Sequence, residues 1–259
     1  MSAFTYHDGR LHAEDVPLDD IAAAVGTPCY VYAANAMRQR LRALLDAFGE
    51  PAPLVCYALK ANNNLAVVRV LAEAGAGADT VSGGEIRRAR AAGVAPERIV
   101  LAGVAKTDDE IALALREGVL QLNVESLQEL ERIDAVARGL GKRAPIAFRI
   151  NPDVAAGTHD KITTGRRIDK FGIPFGQARA AYARALELSG VEPVGLHLHI
   201  GSQITSLEPF EAAYAKAVEL FRELRRAGVP LRRLDLGGGH GVRYQKEPPV
   251  EPRAVAALV

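Results

Sequence analysis

The sequence predicts an α/β fold, a (β/α)8-type barrel of which about seven β/α units are present. Short apolar runs alternate with amphipathic stretches rich in Ala, Leu, Arg and Glu, which indicates a parallel sheet with right-handed crossovers. The units recur at roughly 20–25 residues, and this spacing favours a closed barrel over an open doubly wound sheet. Glycines follow most of the amphipathic stretches, as expected where helices end.

The apolar runs have the composition of buried parallel strands. They are residues 54–59, 77–81, 99–102, 119–124, 145–150, 194–200 and 231–236. The stretches between them predict helices over residues 65–74, 84–92, 108–116, 126–139, 175–189 and 209–227. The glycines expected just after helices are Gly75, Gly93, Gly118, Gly190 and Gly228. Ser126 and Glu129 have the spacing of a capping box at a helix start.

The chain divides into an N-terminal segment, residues 1–30, and a barrel domain, residues 31–259. Residues 151–172 interrupt the alternation because they are polar and lack periodicity. Loops of this length in a compact domain are usually either functional or disordered, and we favour a functional loop because this one follows a strand and carries the motifs at 163–165 and 170–172. After residue 236 come a glycine loop, a proline-rich turn and the start of a helix at 254–259, with no eighth strand. We therefore expect the barrel in this sequence to be incomplete.

Composition narrows the class of function. The chain has 49% hydrophobic and 24% charged residues, and a net charge of +1 gives no indication of nucleic acid or membrane as a partner. No apolar run is long enough to span a bilayer, and the first residues lack the pattern of a signal peptide. Cys29 and Cys56 form neither a metal motif nor a disulfide framework. We therefore expect a cytoplasmic protein.

Lys60 is the most informative single residue, because it follows an apolar strand run and precedes a polar turn. Burial at a strand end would disfavour the charged form of a lysine and leave a nucleophilic amine, which Schiff-base chemistry requires. The alternative is a strand-end lysine whose amine reaches water. Active sites of barrels lie at the carboxyl ends of the strands, and the other polar residues there include Asp79, Glu85 and Arg149.

A glycine loop and two histidines stand at the last strand ends. Gly237, Gly238 and Gly239 can turn consecutive N–H groups towards an anion, and the alternative is a flexible turn. His197 and His199 share one side of a strand. They predict a metal pair, two core histidines, or one core histidine with the other against a cofactor ring. A metal would need a third ligand from Asp79, Glu85, Asp235 or His240, and we expect no metal.

A strand-end lysine, a phosphate-type glycine loop and a strand-end histidine together point to pyridoxal 5'-phosphate (PLP) as cofactor. Six motifs then resemble the diaminopimelate decarboxylases, which belong to the alanine-racemase-like, fold-type III group of PLP-dependent enzymes. These motifs are YALKAN (57–62), ADTVSGGE (78–85), RINP (149–152), KFG (170–172), HIGSQ (199–203) and DLGGG (235–239). The resemblance runs from about residue 5 to the last residue and is specific when the motifs are taken jointly.

The resemblance implies roles for the matching residues. Lys60 and His199 would be catalytic, Lys60 by bonding to the cofactor aldehyde and His199 by stacking on its ring. The residues implied in phosphate binding are Ser202, Gly237, Gly238 and Gly239. Asp79, Glu85 and Arg149 would surround the cofactor and help to orient Lys60 and His199. The fold implied is a PLP-binding barrel followed by a C-terminal β domain.

The implied reaction is decarboxylation of meso-2,6-diaminopimelate, a small amino acid, to L-lysine and CO2 by a homodimer. The family's glutamate for the pyridine nitrogen, its substrate-binding arginine and its β domain would all lie beyond Val259. We therefore expect little or no activity from this chain alone. His240 also departs from the family, which has a bulky apolar residue there.

Three other functions remain open. The first is a related PLP decarboxylase for ornithine, arginine or lysine. The second is a PLP-binding fragment without catalysis. The third is a metal-dependent barrel hydrolase that uses His197 and His199.

Overall fold

A small antiparallel meander precedes a curled parallel sheet that is covered by helices. The computed structural model describes residues 3–154, 171–244 and 249–259. The first elements are β1 (Phe4–His7), β2 (Arg10–Ala13), β3 (Val16–Pro17), α1 (Leu18–Val25) and α2 (Ala34–Phe48). The next are β4 (Cys56–Ala58), α3 (Leu65–Glu73), β5 (Gly77–Thr80), α4 (Gly83–Ala91), β6 (Ile99–Leu101), α5 (Asp108–Glu117), β7 (Gln121–Val124) and α6 (Leu127–Gly139). The last are β8 (Ala144–Asn151), β9 (Ile173–Pro174), α7 (Ala178–Glu187), β10 (Val191–His197), α8 (Glu208–Arg226), β11 (Arg233–Asp235) and α9 (Pro252–Ala256).

Seven strands form the sheet in the order β11-β10-β8-β7-β6-β5-β4, and every neighbouring pair is parallel. The short strand β9 pairs with β8 beside this path. Each of these seven strands overlaps one of the seven predicted runs, so the α/β barrel class is confirmed. The strand β10 ends at His197, however, so His199, which was expected on the same strand, lies two residues beyond it. The sheet is curled, because Asn123 on β7 donates a hydrogen bond to Asp235 on β11 at 3.1 Å although two strands separate them in the order.

The hydrophobic core lies between the sheet and its outer helices. Phe148 on β8 and Tyr182 on α7 are fully buried, and their rings meet edge to face at 4.9 Å. The Tyr182 hydroxyl donates to the Gly195 carbonyl of β10 at 2.7 Å, so this large side chain leaves no buried polar group without a partner. Burial of each such side chain contributes about 1.5–3 kcal/mol, which gives the strand ends a rigid support.

Helix ends follow local signals in the sequence. Ser126 caps α6 by accepting a hydrogen bond from Glu129 N at 3.1 Å, but the predicted capping box is only half formed, because the Glu129 side chain accepts from Glu125 N instead of Ser126 N. The predicted helix-ending glycines with positive φ are Gly75, Gly93, Gly118 and Gly228. Gly190 is different, and its prediction was wrong. Its N–H donates to Asp134 Oδ1 at 2.7 Å, and a Cβ there would lie 2.5 Å from the Asp134 carbonyl oxygen, so close packing explains this glycine.

One of the sequence predictions falls mostly outside the described residues, and two others can be compared with them. The polar stretch 151–172 falls mostly outside it, since residues 155–170 are not described. Apart from β9, the described residues add no strand to the seven of the sheet. The final helix covers Pro252–Ala256, whereas the sequence predicted a helix over 254–259. Among the described helices, none combines the length and the apolar character that crossing a membrane requires.

Candidate active site

The carboxyl ends of the parallel strands bring most of the predicted site residues to one edge of the sheet. Asp79 on β5 is in register with Ala58, the last residue of β4. His197, the last residue of β10, is in register with Arg149 on β8 and with Asp235 on β11. Because the sheet curls, these strand ends surround one mouth.

Lys60 lies two residues beyond β4, and its side chain is exposed. The sequence left two possibilities for this lysine, a buried amine or an amine that reaches water, and the structure has the second. The buried residue of the turn is Leu59, whose N–H donates to the Asp79 carbonyl at 3.0 Å. Ala58, two residues before Lys60, is in register with Asp79. Burial dominates the pKa shifts of Asp79 and His199, and the charge of Lys60 lowers both pKa values. The amine thus stands at the mouth, open to a ligand.

The carboxyl group of Asp79 has a pKa close to physiological pH. Burial raises the pKa of Asp79 to about 7, and the negative charge of Asp235 adds to the rise. Glu85 raises this pKa further, while Lys60 and Arg149 lower it. A carboxyl group with such a pKa can keep or release its proton at physiological pH, which is typical of functional sites.

Glu85 fixes the turn that follows β5. It is buried in the first turn of α4, and its Oε2 accepts a hydrogen bond from Val81 N at 2.8 Å. Its own N–H donates to Ser82 Oγ, the N-cap of the helix, at 3.2 Å. The carboxylate also suits the positive end of the helix dipole. Glu85 therefore holds the backbone beyond Asp79 in place.

Arg149 is held in a buried ion pair. Its Nη1 donates to Glu125 Oε1 at 3.0 Å, and the two side chains are only 12% and 5% exposed. The other oxygen of Glu125 accepts from Gly172 N at 2.9 Å. The Phe171 ring lies 4.9 Å from the guanidinium carbon of Arg149, which adds a cation–π contact.

His199 lies between the lysine and the glycine loop. Burial lowers the pKa of His199 to about 3, and the nearby charges of Arg149, His197 and Lys60 lower it further. Its ring is therefore neutral at physiological pH. Gly238 N donates to His199 Nδ1 at 3.4 Å, which leaves the proton of the neutral ring on Nε2.

His197 belongs to a layer of polar side chains inside the curled sheet. Its Nε2 lies 4.0 Å from Asp235 Oδ1, and burial lowers the pKa of His197. Asn123 bridges this layer, because it donates to Asp235 Oδ2 at 3.1 Å and accepts from Gln121 Nε2 at 2.9 Å. The buried atoms His197 Nδ1 and Gln121 Oε1 have no partner among the described residues. The described residues also contain no group of three metal-ligand side chains, so a His197–His199 metal site gains no support there.

The glycine loop approaches the neighbouring strand end more closely than any other residue type could. Gly237 has a φ of +68°, and a Cβ there would lie 2.2 Å from the Leu198 carbonyl oxygen. Gly239 has a φ of +96°, and its Cβ would lie 1.9 Å from the Gly201 carbonyl oxygen. At Gly238 a Cβ would meet nothing within 4 Å, so this residue faces open space. Ser202, on the adjacent turn, is exposed.

Residues 203 and 204, in the segment after β10, form hydrogen bonds with the glycine loop and with the residues that follow it. Ile204 N donates to the Gly239 carbonyl at 2.9 Å, and Gly241 N donates to the Ile204 carbonyl at 2.8 Å. The Gln203 amide bonds both backbone groups of Val242, accepting from its N–H at 3.0 Å and donating to its carbonyl. These hydrogen bonds hold the loop against the segment that follows β10.

The family described as "Pyridoxal-dependent decarboxylase, pyridoxal binding domain" matches residues 34–259. The chain belongs to this family. Diaminopimelate decarboxylase of Pseudomonas aeruginosa is 49% identical over 249 residues, which cover 96% of this chain and 60% of that protein. That of Aquifex aeolicus is 47% identical over 242 residues, covering 93% of this chain and 57% of that protein.

A solved structure agrees with these relatives. The crystal structure of diaminopimelate decarboxylase from Helicobacter pylori, complexed with L-lysine, matches with a TM-score of 0.90 and 41% identity. The match covers 93% of this chain and 61% of that chain. This chain thus spans about 60% of the length of the relatives it matches. The predicted resemblance is confirmed, as is PLP as the cofactor of the family.

The described residues fit a pyridoxal phosphate. The glycine loop has no room for a side chain at Gly237 or Gly239, and the space beside Gly238 is open. Backbone N–H groups in such a loop suit a phosphate. Lys60 offers an exposed amine for an aldehyde, and His199 offers a flat, neutral ring between the amine and the cradle. The loop, the amine and the imidazole ring thus match the phosphate, the aldehyde and the ring of the cofactor, respectively.

Three residues that hold this site were not predicted to do so: Glu125, Lys106 and Gln203, of which only Gln203 lies in one of the matching motifs. Glu125 stands directly after strand β7, so its position at a strand end was a usable signal. The Lys106 signal was weaker, because its partners Asn123 and Glu129 lie on later elements and only the fold brings them together.

Proposed function

We propose that this chain carries the pyridoxal-phosphate site of a diaminopimelate decarboxylase, which converts meso-2,6-diaminopimelate to L-lysine and CO2. The observation that carries the proposal is the position of His199. Its Nδ1 accepts from Gly238 of the glycine cradle, and its pKa responds to the charge of Lys60. The neutral ring of His199 therefore lies beside the glycine loop and within the influence of the Lys60 charge. A bound PLP needs its phosphate site, its ring and its aldehyde partner in such proximity.

Each predicted site residue has a part in this proposal. Lys60 would hold the cofactor aldehyde, and His199 would lie against the ring. The phosphate would be bound by Ser202, Gly237, Gly238 and Gly239. When bound, PLP supplies an electron sink for the electron pair that CO2 leaves behind. Asp79, Glu85 and Arg149 would surround the cofactor, with Asp79 able to hold or release a proton near pH 7.

The substrate class is supported by the relatives. Two of them, at 49% and 47% identity, are diaminopimelate decarboxylases, and the similar Helicobacter pylori structure is complexed with L-lysine. We propose the same amino-acid class for this chain. The segments proposed earlier, residues 1–30 as a leading segment and 31–259 as the barrel domain, are consistent with a family match that begins at residue 34. We also propose a homodimer in the cytoplasm.

A spectroscopic titration tests the substrate. The chain would be loaded with PLP, and the absorption of the bound cofactor would be followed while meso-diaminopimelate, ornithine, arginine or lysine is added. We expect meso-diaminopimelate and L-lysine to change the spectrum at lower concentrations than ornithine or arginine. The Lys60→Ala variant provides the baseline. A lower half-point for ornithine or arginine would instead support a decarboxylase of that amino acid.

A further inference from the structure

Both carboxylate oxygens of Glu125 accept hydrogen bonds at the candidate site. Oε1 accepts from Arg149 Nη1 at 3.0 Å, and Oε2 accepts from Gly172 N at 2.9 Å. The side chain of Glu125 is 5% exposed, so water competes little for these bonds. Charge-assisted bonds of this kind fix the direction of a guanidinium group.

Glu125 is itself held by a buried ion pair behind it. Glu129 Oε2 accepts from Glu125 N at 2.6 Å, and Glu129 Oε1 accepts from Lys106 Nζ at 2.7 Å. Lys106 also donates to the carbonyls of Gly103 and Asn123, each at 2.6 Å. The side chain of Lys106 is 1% exposed and that of Glu129 is 10% exposed. The backbone at Glu125 is therefore fixed by a buried carboxylate that is itself paired with a buried cation.

Arg149 acts on the side towards the mouth. Arg149 on β8 is in register with His197, two residues before His199, and its positive charge opposes the burial-driven rise in the pKa of Asp79 and adds to the burial-driven fall in the pKa of His199. Its backbone is constrained too, since Gly172 packs so closely that a Cβ there would lie 2.7 Å from the Arg149 carbonyl oxygen. Arg149 thus stands between a fixed carboxylate and the two residues expected to flank the cofactor.

We propose that Glu125 is a positioning residue for the cofactor site, which acts by holding the Arg149 guanidinium towards Asp79 and His199. The inference rests on the proposed function, because it assigns Glu125 to the same PLP site. It adds a residue that touches no ligand and works through Arg149. Glu125→Gln keeps the size of the side chain but removes its charge and replaces one acceptor with a donor.

The chain offers a matched control in Asp134. This buried carboxylate also binds one arginine and one glycine N–H, Arg138 Nε at 2.8 Å and Gly190 N at 2.7 Å. It lies on α6, and Gly190 precedes the start of β10, at the end of the strands opposite to the mouth. Asp134→Asn therefore removes the same kind of contact from a place that cannot orient Arg149.

The first experiment needs no cofactor. The wild-type chain, Glu125→Gln and Asp134→Asn would be treated with phenylglyoxal, and the labelling rate of each arginine would be measured by peptide mass spectrometry. We expect slow labelling of Arg149 in the wild type and in Asp134→Asn, and several-fold faster labelling in Glu125→Gln. Equal labelling of Arg149 in all three chains would overturn the inference.

The second experiment measures PLP affinity in a double-mutant cycle with Arg149→Ala. We expect Glu125→Gln to raise the Kd for PLP about tenfold, as the loss of a charge-assisted hydrogen bond does. In the Arg149→Ala background the same change should have little further effect, because the group that it positions is gone. Asp134→Asn should leave the Kd within about twofold of wild type. Equal Kd shifts for Glu125→Gln and Asp134→Asn, or an undiminished effect without Arg149, would overturn the inference.

The two experiments separate this inference from the proposed function. A wild-type chain that binds no PLP would count against the proposed function. The labelling rate of Arg149 would still show whether Glu125 holds the Arg149 guanidinium, since that rate is measured on the cofactor-free chain.

Discussion

Asp79 and His199 respond to burial in opposite directions, and this sets how stability depends on pH. Burial raises the pKa of Asp79 from 3.8 to about 7, so the folded chain binds the extra proton between these values. Its contribution to stability therefore falls as pH rises through this window. Burial lowers the pKa of His199 from 6.5 to about 3, so here the unfolded chain binds the extra proton. That contribution is lost as pH falls below 6.5.

We predict that single variants separate the two contributions. Asp79→Asn removes the first, so its stability relative to wild type should increase as pH rises from 4 to 6.5. His199→Gln removes the second, so its relative stability should decrease over the same range. Each slope should reach at most about 1.4 kcal/mol per pH unit. Urea unfolding of the cofactor-free chains at several pH values measures this. Profiles of both variants that stay parallel to wild type would contradict the account.

At the scale of one element, the glycine loop depends on close backbone contacts. We predict that Gly237→Ala and Gly239→Ala each lower the free energy of unfolding by about 3 kcal/mol or more, because the new Cβ would lie 2.2 Å and 1.9 Å from carbonyl oxygens. Gly238→Ala, which meets nothing within 4 Å, should lower it by less than about 1 kcal/mol. Urea unfolding followed by circular dichroism checks this order. Similar values for the three variants would show that the loop is not held as described.

The buried pair behind the site makes a second prediction at this scale. Lys106→Met should lower the free energy of unfolding by about 3–5 kcal/mol, because it leaves the Glu129 carboxylate buried without its cation. Adding Glu129→Gln should recover part of the loss. As a control, Glu131→Gln breaks an ion pair with Arg184 in which both side chains are almost half exposed, and should change stability by less than about 1 kcal/mol. Equal losses for Lys106→Met and Glu131→Gln would refute the assigned role of the pair.

The elements were predictable because their signals are local. The seven strands, the Ser126 cap and four of the five helix-ending glycines depend on residues within one turn or one strand, and the structure has them in place. Lys60 was harder, because strand β4 ends at Ala58 and the lysine therefore lies beyond the buried run. The Glu125–Arg149 pair was not predictable from spacing, since it requires β7 and β8 to pair with Val124 beside Phe148.

At the scale of the whole molecule, the site exists because the sheet curls. Lys60 follows β4 and the glycine loop follows β11, and these are the two outer strands of the sheet order. A flat sheet would keep them far apart. In the folded chain Asp235 on β11 accepts a hydrogen bond from Asn123 on β7 at 3.1 Å, across the inside of the curled sheet. Burial raises the pKa of Cys56 on β4 and of Asp79 on β5, and the charge of Asp235 adds to both rises.

This arrangement makes Lys60 the group that should take the cofactor, and one measurement tests that directly. The chain would be incubated with PLP, reduced with borohydride and mapped by peptide mass spectrometry. We predict a single pyridoxyl adduct on Lys60, absent from Lys60→Ala, with the buried and fully bonded Lys106 unmodified. Adducts scattered over surface lysines, with Lys60 unmodified, would contradict the account.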